Sequence, residues 1–115
     1  MRRSEIRLVD LEPTRGAEAN KQRPAVIVSN DGANETAARL GRGVVTVVPL
    51  TSNVSRIHPF QVRLSAELCG LRTDSKAQAE QIRSVAVQRI GARVGRVPAQ
   101  LMEQLNEAMR VHLAL

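Results

Sequence analysis

Aromatic side chains are nearly absent from this sequence: its 115 residues include one Phe and neither Trp nor Tyr. The hydrophobic core must therefore be built from Val, Ile, Leu, Met and Ala. With 43% hydrophobic and 24% charged residues, the composition is ordinary for a globular protein. The length suffices for one core and not for two, so residues 1–115 are expected to form a single domain.

Cysteine and histidine are also scarce. Cys69 is the only cysteine, which excludes an intramolecular disulfide and favours a buried, unreactive thiol. Of the two histidines, His112 favours packing on the last helix, and His58 favours a structural role, with base stacking as the alternative. No cluster of ligands has the spacing of a metal site, and there is neither a glycine-rich phosphate loop nor an HExxH motif. We therefore expect neither a metal nor a cofactor.

Long hydrophobic runs are missing as well. After Met1, Arg2 and Arg3 the sequence turns polar, without the apolar core of a secretory signal. The longest apolar stretch, near residues 44–50, is too short to span a bilayer. These features predict a cytoplasmic protein that does not associate with membranes.

Negative charge is in deficit, because 17 Lys or Arg against 11 Asp or Glu give a formal net charge of +6. The excess is concentrated in residues 71–96, which carry six positive and two negative side chains. Such a surface favours a polyanionic partner, either nucleic acid or an acidic protein segment. The alternative is that the excess arginine serves only solubility.

The hydrophobic pattern predicts many short strands and two helices. Strands are expected at residues 5–11, 24–29, 43–49, 60–64, 73–77, 81–85 and 93–97, with a long loop at residues 12–22. Asn30 or Asp31 can cap a helix that runs through Ala38. Gly41 should end that helix, and Pro98 can start a second, C-terminal helix. The predicted fold is α+β, mainly β with helices: a small SH3-like barrel with a C-terminal helix.

Polar residues cluster at three places where predicted strands begin or end. In Gln22-Arg23-Pro24, the proline favours an extended backbone at Arg23, and the buried strand behind it would fix the guanidinium. Pro49-Leu50-Thr51-Ser52-Asn53 places two adjacent hydroxyls at the end of another buried strand. Glu80-Gln81-Ile82-Arg83-Ser84 is a polar start to an apolar strand. Taken singly, each is more typical of a solvated strand end than of a site.

Together with their neighbours, these clusters form an ordered series along the chain. The series consists of Met1-Arg2-Arg3-Ser4-Glu5-Ile6, Val9-Asp10-Leu11-Glu12-Pro13, Thr14-Arg15-Gly16-Ala17-Glu18, Gln22-Arg23-Pro24-Ala25-Val26-Ile27-Val28-Ser29, Val47-Val48-Pro49-Leu50-Thr51-Ser52-Asn53, Pro59-Phe60-Gln61-Val62, Glu80-Gln81-Ile82-Arg83-Ser84 and Val94-Gly95-Arg96-Val97-Pro98. In order and spacing these segments resemble the MazF/PemK family of endoribonuclease toxins. The resemblance covers essentially the whole chain, although no single segment is diagnostic.

The resemblance implies a barrel of the CcdB/PemK type that forms a two-fold homodimer. It also implies the toxin of a type II toxin–antitoxin system, a metal-independent endoribonuclease that cuts mRNA or other single-stranded RNA at a short sequence, with tRNA and rRNA left open as further targets. The products would carry 2′,3′-cyclic phosphate and 5′-hydroxyl ends. A cognate MazE-like antitoxin would bind in the RNA groove through an acidic, initially disordered segment, which suits the net charge of +6.

By the same resemblance, Arg23 and Thr51 match the family's catalytic Arg and Thr, and Ser52 matches a neighbouring hydroxyl that contacts substrate. Glu18 lies where some members use a loop Glu in catalysis, which makes it the candidate general base. Glu80 matches a position where relatives have an acidic residue beside the substrate, so it is expected to bind substrate and is the reserve candidate for the base. The other residues expected to bind substrate flank these positions: Gln22, Asn53, His58, Gln81 and Arg83.

The sequence departs from the family pattern at four positions. Ser4 stands where relatives commonly have Gly, and Arg7 where they have a mainly structural Trp. Ala17 replaces a His of some members, and His58 an aromatic residue that could stack on a base. These departures bear on cleavage rate, sequence preference and packing near the dimer face more than on the class of reaction.

Two other functions are compatible with such a barrel. A CcdB-like toxin would poison DNA gyrase instead of cutting RNA, but that activity relies on an aromatic residue near the C-terminus, and this chain ends Val111-His112-Leu113-Ala114-Leu115. A plain RNA-binding barrel would keep the basic surface without needing Arg23 and Thr51.

Overall fold

The computed structural model describes residues 1–11 and 22–115 of the chain. The strands are β1 (Glu5–Asp10), β2 (Gln22–Ile27), β3 (Val44–Thr51), β4 (Gln61–Leu64), β5 (Ser75–Gln78), β6 (Arg83–Ala86) and β7 (Ile90–Arg96). The α-helices are α1 (Asp31–Leu40), α2 (Ala66–Cys69) and α3 (Ala99–Leu113), with single 3₁₀ turns at Ala79–Gln81 and Val87–Arg89.

The strands form one antiparallel sheet in the order β4-β5-β3-β2-β1-β7. The long strand β3 pairs with β2 along one edge, and along the other edge with β6 and then β5. Within the described residues the sheet is not closed, because β4 and β7 stand at the two ends of the order. The predicted mainly β fold with a C-terminal helix is confirmed, with an open sheet in place of a sealed barrel.

Both faces of the central strands are buried. On one face, Val26, Val48 and Leu50 share a core with Met102 and Leu105 of α3. On the other face, Ala25, Ile27, Val45 and Val47 pack with Ala37 of α1. The unbroken apolar run Ala25-Val26-Ile27-Val28 predicts burial on both faces of β2, and Ala25, Val26 and Ile27 are all fully buried.

The cap residues define α1 as the sequence predicts. The Asn30 side chain accepts a hydrogen bond from the backbone N–H of Ala33 at 2.8 Å, which satisfies one of the free donors of the first turn. Gly41 ends the helix in the left-handed conformation, with φ +66°. The helix continues to Leu40, two residues beyond the expected end at Ala38.

The expectations for His112 and for several strand ends are wrong, and one short helix was missed. His112 is exposed because the buried face of α3 ends at Ala108, so the last turn extends past the core. The strands β2 and β7 begin two and three residues before their predicted starts, at Gln22 and Ile90, and β5 and β6 begin two residues after theirs, at Ser75 and Arg83, because pairing with neighbouring strands and not the apolar run sets these ends. The four-residue helix α2 was not predicted, since it is too short for a periodic pattern, although Gly70 with φ +73° ends it.

Arg7 joins β1 to β7 at the position where relatives have Trp. Its guanidinium donates to a carboxylate oxygen of Glu5 at 3.0 and 3.2 Å and to the carbonyl of Gly91 at 3.0 Å. Burial raises the pKa of Glu5, but hydrogen bonds from the Arg2 backbone and from Arg7 outweigh it and hold the pKa below its usual value. The hydrogen-bonded pair of Arg7 and Glu5 therefore occupies the position that a packed Trp ring has in the family pattern.

Replacing Ser4 by Gly is expected to raise the free energy of unfolding by about 0.5–1 kcal/mol. Ser4 has φ +84°, which L-residues rarely adopt. Two backbone hydrogen bonds of 2.9 Å hold it there: the Ser4 N–H donates to the Ile27 carbonyl, and the Ser4 carbonyl accepts the N–H of Val97. Glycine relieves that strain, and the extra freedom of its unfolded chain offsets part of the gain. Urea unfolding measures the change. Ser4→Ala, which keeps a Cβ, should show no gain, and a less stable Ser4→Gly variant would contradict the assignment of strain.

Candidate functional site

The strands β2 and β3 separate at a pair of prolines. Their register pairs Ala25 with Pro49, and continuing it by two residues would place Arg23 opposite Thr51. Val28 donates its N–H to the Thr46 carbonyl at 2.9 Å, and such bonded pairs recur at every second residue. Pro24 therefore falls at a bonded position without an N–H to donate, and the β2–β3 pairing ends before it.

Pro49 ends the pairing on the other edge of β3 in the same way. Its nitrogen faces the β6 side, where β3 stops pairing at Val47 and resumes with β5 at Leu50 and Thr51. The end of β3 thus stays anchored to β5 while it leaves β2. The polar side chains at the ends of β2 and β3 are consequently held on strands, on either side of an opening.

A cleft of about 430 Å³ occupies this opening, and we call it the Arg23 cleft. It is lined by Arg23, Pro24, Leu50, Thr51, Ser52, Thr73 and Ser75. Three predicted site residues, Arg23, Thr51 and Ser52, therefore lie in one place. Arg23 is exposed, and among residues 1–11 and 22–115 it forms no salt bridge, so its guanidinium can receive an anion.

Sequence reasoning missed the hydroxyls of Thr73 and Ser75 in this cleft. Ser75 begins β5, and its hydroxyl donates to the Thr73 carbonyl at 3.2 Å. They reach the cleft only because β5 pairs with the end of β3. No local motif signals that pairing, so knowledge of the strand order was needed to find them.

Asp74, between these two residues, is committed to structure. One carboxylate oxygen accepts the N–H of Ala66 at 2.8 Å and the other accepts a guanidinium N–H of Arg63 at 2.9 Å. The Ala66 bond first, and then Arg63, hold the pKa of Asp74 below its usual value. A carboxylate so stabilised in its charged form is a poor proton acceptor, and Asp74 does not line the Arg23 cleft.

A second cleft of about 560 Å³ adjoins the first, and we call it the apolar cleft. The two clefts share Pro24, Thr73 and Ser75. The apolar cleft continues across the neighbouring strands with Leu8, Gly70, Leu71, Arg72 and Val94 in its lining. A ligand with both charged and apolar parts could therefore extend from one cleft into the other.

The loop after β3 is fixed at its start and near its end. Thr51 Oγ1 accepts the N–H of Asn53 at 3.3 Å, and Asn53 Oδ1 accepts the N–H and hydroxyl of Ser55 at 3.2 and 2.8 Å. The His58 ring stacks on Phe60, with centroids 5.1 Å apart and planes within 4°. Asn53 and His58 thus shape the loop, and neither lines the Arg23 cleft.

Glu80 lies apart from the Arg23 cleft, in the turn Ala79–Gln81. Its Oε2 accepts the amide N–H of Gln61 at 2.7 Å, and its Oε1 is buried without a hydrogen-bond partner among the described residues. Gln61 Oε1 in turn accepts the N–H of His58 at 3.1 Å. The alternation Phe60-Gln61-Val62-Arg63-Leu64 predicts one buried and one solvent-facing side of this strand, with Gln61 on the solvent-facing side. The structure instead buries Gln61, whose amide is hydrogen-bonded at both ends.

The other predicted residues are not brought to the Arg23 cleft. Arg83 lies on β6 opposite Val47 and donates to the Leu11 carbonyl at 2.7 Å. The Gln22 amide lies beside Gly91 of β7, and Gln81 is exposed. Glu18, the candidate general base, is outside the described residues.

The described parts of the chain hold neither a cluster of metal ligands nor a helix suited to a membrane. Residues 1–11 and 22–115 contain no group of three or more His, Cys, Asp or Glu side chains placed to hold a metal ion. None of the helices in these two ranges is long and apolar enough to cross a membrane. The single thiol, Cys69, is buried, and burial raises its pKa.

Comparison with known proteins gives one consistent family. Residues 2–113 match the model described as PemK-like, MazF-like toxin of type II toxin–antitoxin system. The chain is 63% identical over 115 residues to endoribonuclease MazF9 of Mycobacterium tuberculosis, covering 100% of this chain and 98% of that protein. It is 27% identical over 116 residues to endoribonuclease EndoA of Bacillus subtilis, covering 100% and 96%.

A solved structure agrees with these relatives. An endoribonuclease from a mycobacterial species, in complex with its cognate antitoxin, is similar to this chain with a TM-score of 0.77 and 25% identity. The match covers 100% of this chain and 96% of that one. The chain belongs to the PemK-like, MazF-like family of toxins of type II toxin–antitoxin systems.

Proposed function

We propose that this toxin cuts single-stranded RNA at a phosphodiester held in the Arg23 cleft. The observation that carries the proposal is the convergence of Arg23, Thr51 and Ser52 on one cleft where β2 and β3 separate. The family and the 63% identical relative supply the reaction class, that of an endoribonuclease. The net charge of +6 suits a polyanionic substrate.

The reaction is transfer of the phosphodiester to the neighbouring 2′-hydroxyl. The 2′-oxygen bonds to phosphorus while the bond from phosphorus to the 5′-oxygen breaks, leaving a 2′,3′-cyclic phosphate and a 5′-hydroxyl. One proton leaves the 2′-hydroxyl and one is added to the 5′-oxygen. The protein must therefore align the phosphate, stabilise its growing negative charge and provide for both protons.

Arg23 supplies the charge stabilisation. A guanidinium can give two parallel hydrogen bonds to phosphate oxygens, and β2 holds Arg23 on a rigid element at the mouth of the cleft. Because a guanidinium is a permanent cation that offers several N–H donors in a fixed plane, Arg23 acts as an electrostatic clamp and not as the proton donor. The proton for the 5′-oxygen comes from water or through a relay.

Thr51 and Ser52 orient the phosphate. The Thr51 oxygen already accepts the N–H of Asn53, so its own proton remains to be donated toward the cleft. Ser52, next in the chain, adds a second hydroxyl on the same side of the opening. Two donors at a strand end that β5 anchors can fix the in-line geometry.

Glu18 is the proposed general base for the 2′-hydroxyl, supplied from the segment that precedes β2. Glu80, the reserve candidate, is tied to Gln61 away from the Arg23 cleft and is the weaker choice. The proposed reaction requires no metal, because arginine and hydroxyl donors supply the stabilisation that a cation would otherwise give.

The partners follow from the family. A cognate MazE-like antitoxin binds the toxin, and an acidic segment of it could lie along the joined clefts, with Arg23 and Arg72 facing its carboxylates. Pairing as a homodimer is typical of this family and would extend the groove across two copies. Since its substrate is cellular RNA, the toxin acts in the cytoplasm.

The two alternative functions are not favoured. The curated relatives are named endoribonucleases, which argues against a gyrase poison and against an inert RNA-binding barrel. The last residues of the chain, including His112, are exposed and contain no aromatic side chain of the kind a gyrase poison uses.

The test is incubation of the purified toxin with a long single-stranded RNA in EDTA, followed by mapping and end-group analysis of the fragments. Discrete cuts with cyclic-phosphate and 5′-hydroxyl ends are expected. Thr51→Val, which keeps the shape but loses the hydroxyl, should lower the rate about 10- to 100-fold, and Thr51→Ser should retain most of it. Absence of cutting in EDTA, or full activity of Thr51→Val, would overturn the proposal.

A further inference from the structure

Lys76 is a buried lysine beside the Arg23 cleft. It lies on β5, it is 8% exposed, and the β3–β5 register pairs it directly with Thr51. Paired residues of antiparallel strands project from the same face, so the side chains of Lys76 and Thr51 are neighbours. No local pattern in the sequence predicts this placement, because a lysine in a short strand usually points to solvent.

The ammonium of Lys76 has an unusual partner. It donates to the backbone carbonyl of Arg56 at 2.7 Å, and no salt bridge within the described residues involves it. A buried charge held by one carbonyl is poorly compensated for its lost hydration. An apolar side chain of similar length would suit this position better if stability alone were at stake.

The carbonyl that Lys76 holds belongs to the loop between β3 and β4. That loop, residues 52–60, begins with Ser52 in the Arg23 cleft, and its last part contains the stacked rings of His58 and Phe60. Its two ends are fixed by Thr51 and by Gln61, and Lys76 fixes its middle at Arg56. One buried cation therefore connects the strand next to Thr51 with the loop whose first residue, Ser52, lines the Arg23 cleft.

We propose that Lys76 is a positioning residue for RNA: it holds residues 52–60 against β5, and so sets the place of Ser52 and the affinity and sequence preference for the single strand. This inference rests on the proposed function of the Arg23 cleft. It differs from a purely structural role, because loss of the ammonium should loosen the loop and weaken RNA binding without destabilising the core. The chemical step, which depends on Arg23 and Thr51, should change less.

The variant is Lys76→Met, which keeps the buried stem and removes the charged donor. Arg63→Met is the matched control, because Arg63 is paired with Lys76 on the neighbouring strand β4 and is exposed. This variant removes the same charge, and Arg63 pairs with Asp74 and not with the loop. Lys76→Arg restores the charge and donors. Each variant is compared for KM and kcat on a short RNA, cut-site selectivity on a long RNA, urea unfolding, and backbone hydrogen exchange in residues 53–58.

For Lys76→Met we expect KM to rise about tenfold, selectivity to fall and loop exchange to quicken, with kcat within about threefold and stability unchanged or higher. Arg63→Met should retain the wild-type KM, and Lys76→Arg should recover most of it. Unchanged KM, selectivity and exchange in Lys76→Met would overturn the inference, as would a parallel loss of stability, kcat and KM. If Lys76→Met does not fold, Lys76→Gln takes its place under the same criteria. Failure of the wild type to cut RNA would instead refute the proposed function.

Discussion

Replacing Arg23 by Ala should lower the rate of RNA cleavage by about 10²- to 10³-fold, which corresponds to roughly 3–4 kcal/mol of transition-state stabilisation. Within residues 1–11 and 22–115, its guanidinium is the one cation that lines the Arg23 cleft, and it is placed to meet the charge that grows on the phosphate. Because the side chain is exposed, its removal should leave the free energy of unfolding within about 0.5 kcal/mol of the wild type.

Two further variants separate the role of geometry from that of charge. Arg23→Lys keeps the charge but loses the paired hydrogen bonds, so it should recover only part of the rate. Arg42→Ala removes an equal charge from an exposed position beyond α1 and should cut RNA at the wild-type rate. Single-turnover cleavage measures all three. Equal losses in Arg23→Ala and Arg42→Ala would show that net charge matters and that the Arg23 cleft does not.

Replacing Gly95 by Ala should destabilise the fold by about 3 kcal/mol. A Cβ at Gly95 would overlap sterically with the Cys69 carbonyl oxygen and lie 3.2 Å from Leu71 Cδ2. Gly95 is paired with Ile6 in the β1–β7 ladder, and Cys69 is the last residue of α2. Because the clash involves the main chain on both sides, it can be relieved only by displacing β7 or α2. Since domains are stable by only about 5–15 kcal/mol, such a loss should be evident in urea unfolding.

Gly32→Ala is the matched control for this prediction. A Cβ at Gly32 would meet only the side-chain oxygen of Asn30 at 3.3 Å, which can shift, and alanine favours the helix. We expect no loss of stability in this variant. Near-wild-type stability of Gly95→Ala would mean that α2 does not approach β7 as closely as the structure places it.

Local signals in the sequence predicted most of the fold. Apolar runs and alternation indicated the strands, and Asn30 and Gly41 marked the ends of α1. Errors arose where the outcome depended on neighbours. Helical spacing places His112 on the same face of α3 as its buried residues, but it does not show where the core beneath that face ends. Alternation along β4 likewise does not show that the Gln61 amide would find two hydrogen-bond partners in the interior.

The candidate site was predictable to a smaller extent. Arg23, Thr51 and Ser52 were selected by resemblance, and their shared cleft follows from the prolines that end the β2–β3 pairing. Thr73, Ser75 and Lys76 carry no local signal, because only the pairing of β5 with the end of β3 brings them there. The sequence grouped Glu80 with the site, whereas its bond to Gln61 places it with the loop support.

The most direct measurement is a structure of the toxin with a single-stranded RNA in which the 2′-hydroxyl at the cut position is replaced by hydrogen, so that the strand binds but cannot be cut. We predict that the scissile phosphate lies in the Arg23 cleft, with two oxygens bonded to Arg23 and one to the Thr51 hydroxyl. A scissile phosphate bound elsewhere, for example beside Arg83 or Arg96, with the Arg23 cleft free of RNA, would contradict the assignment of the active site.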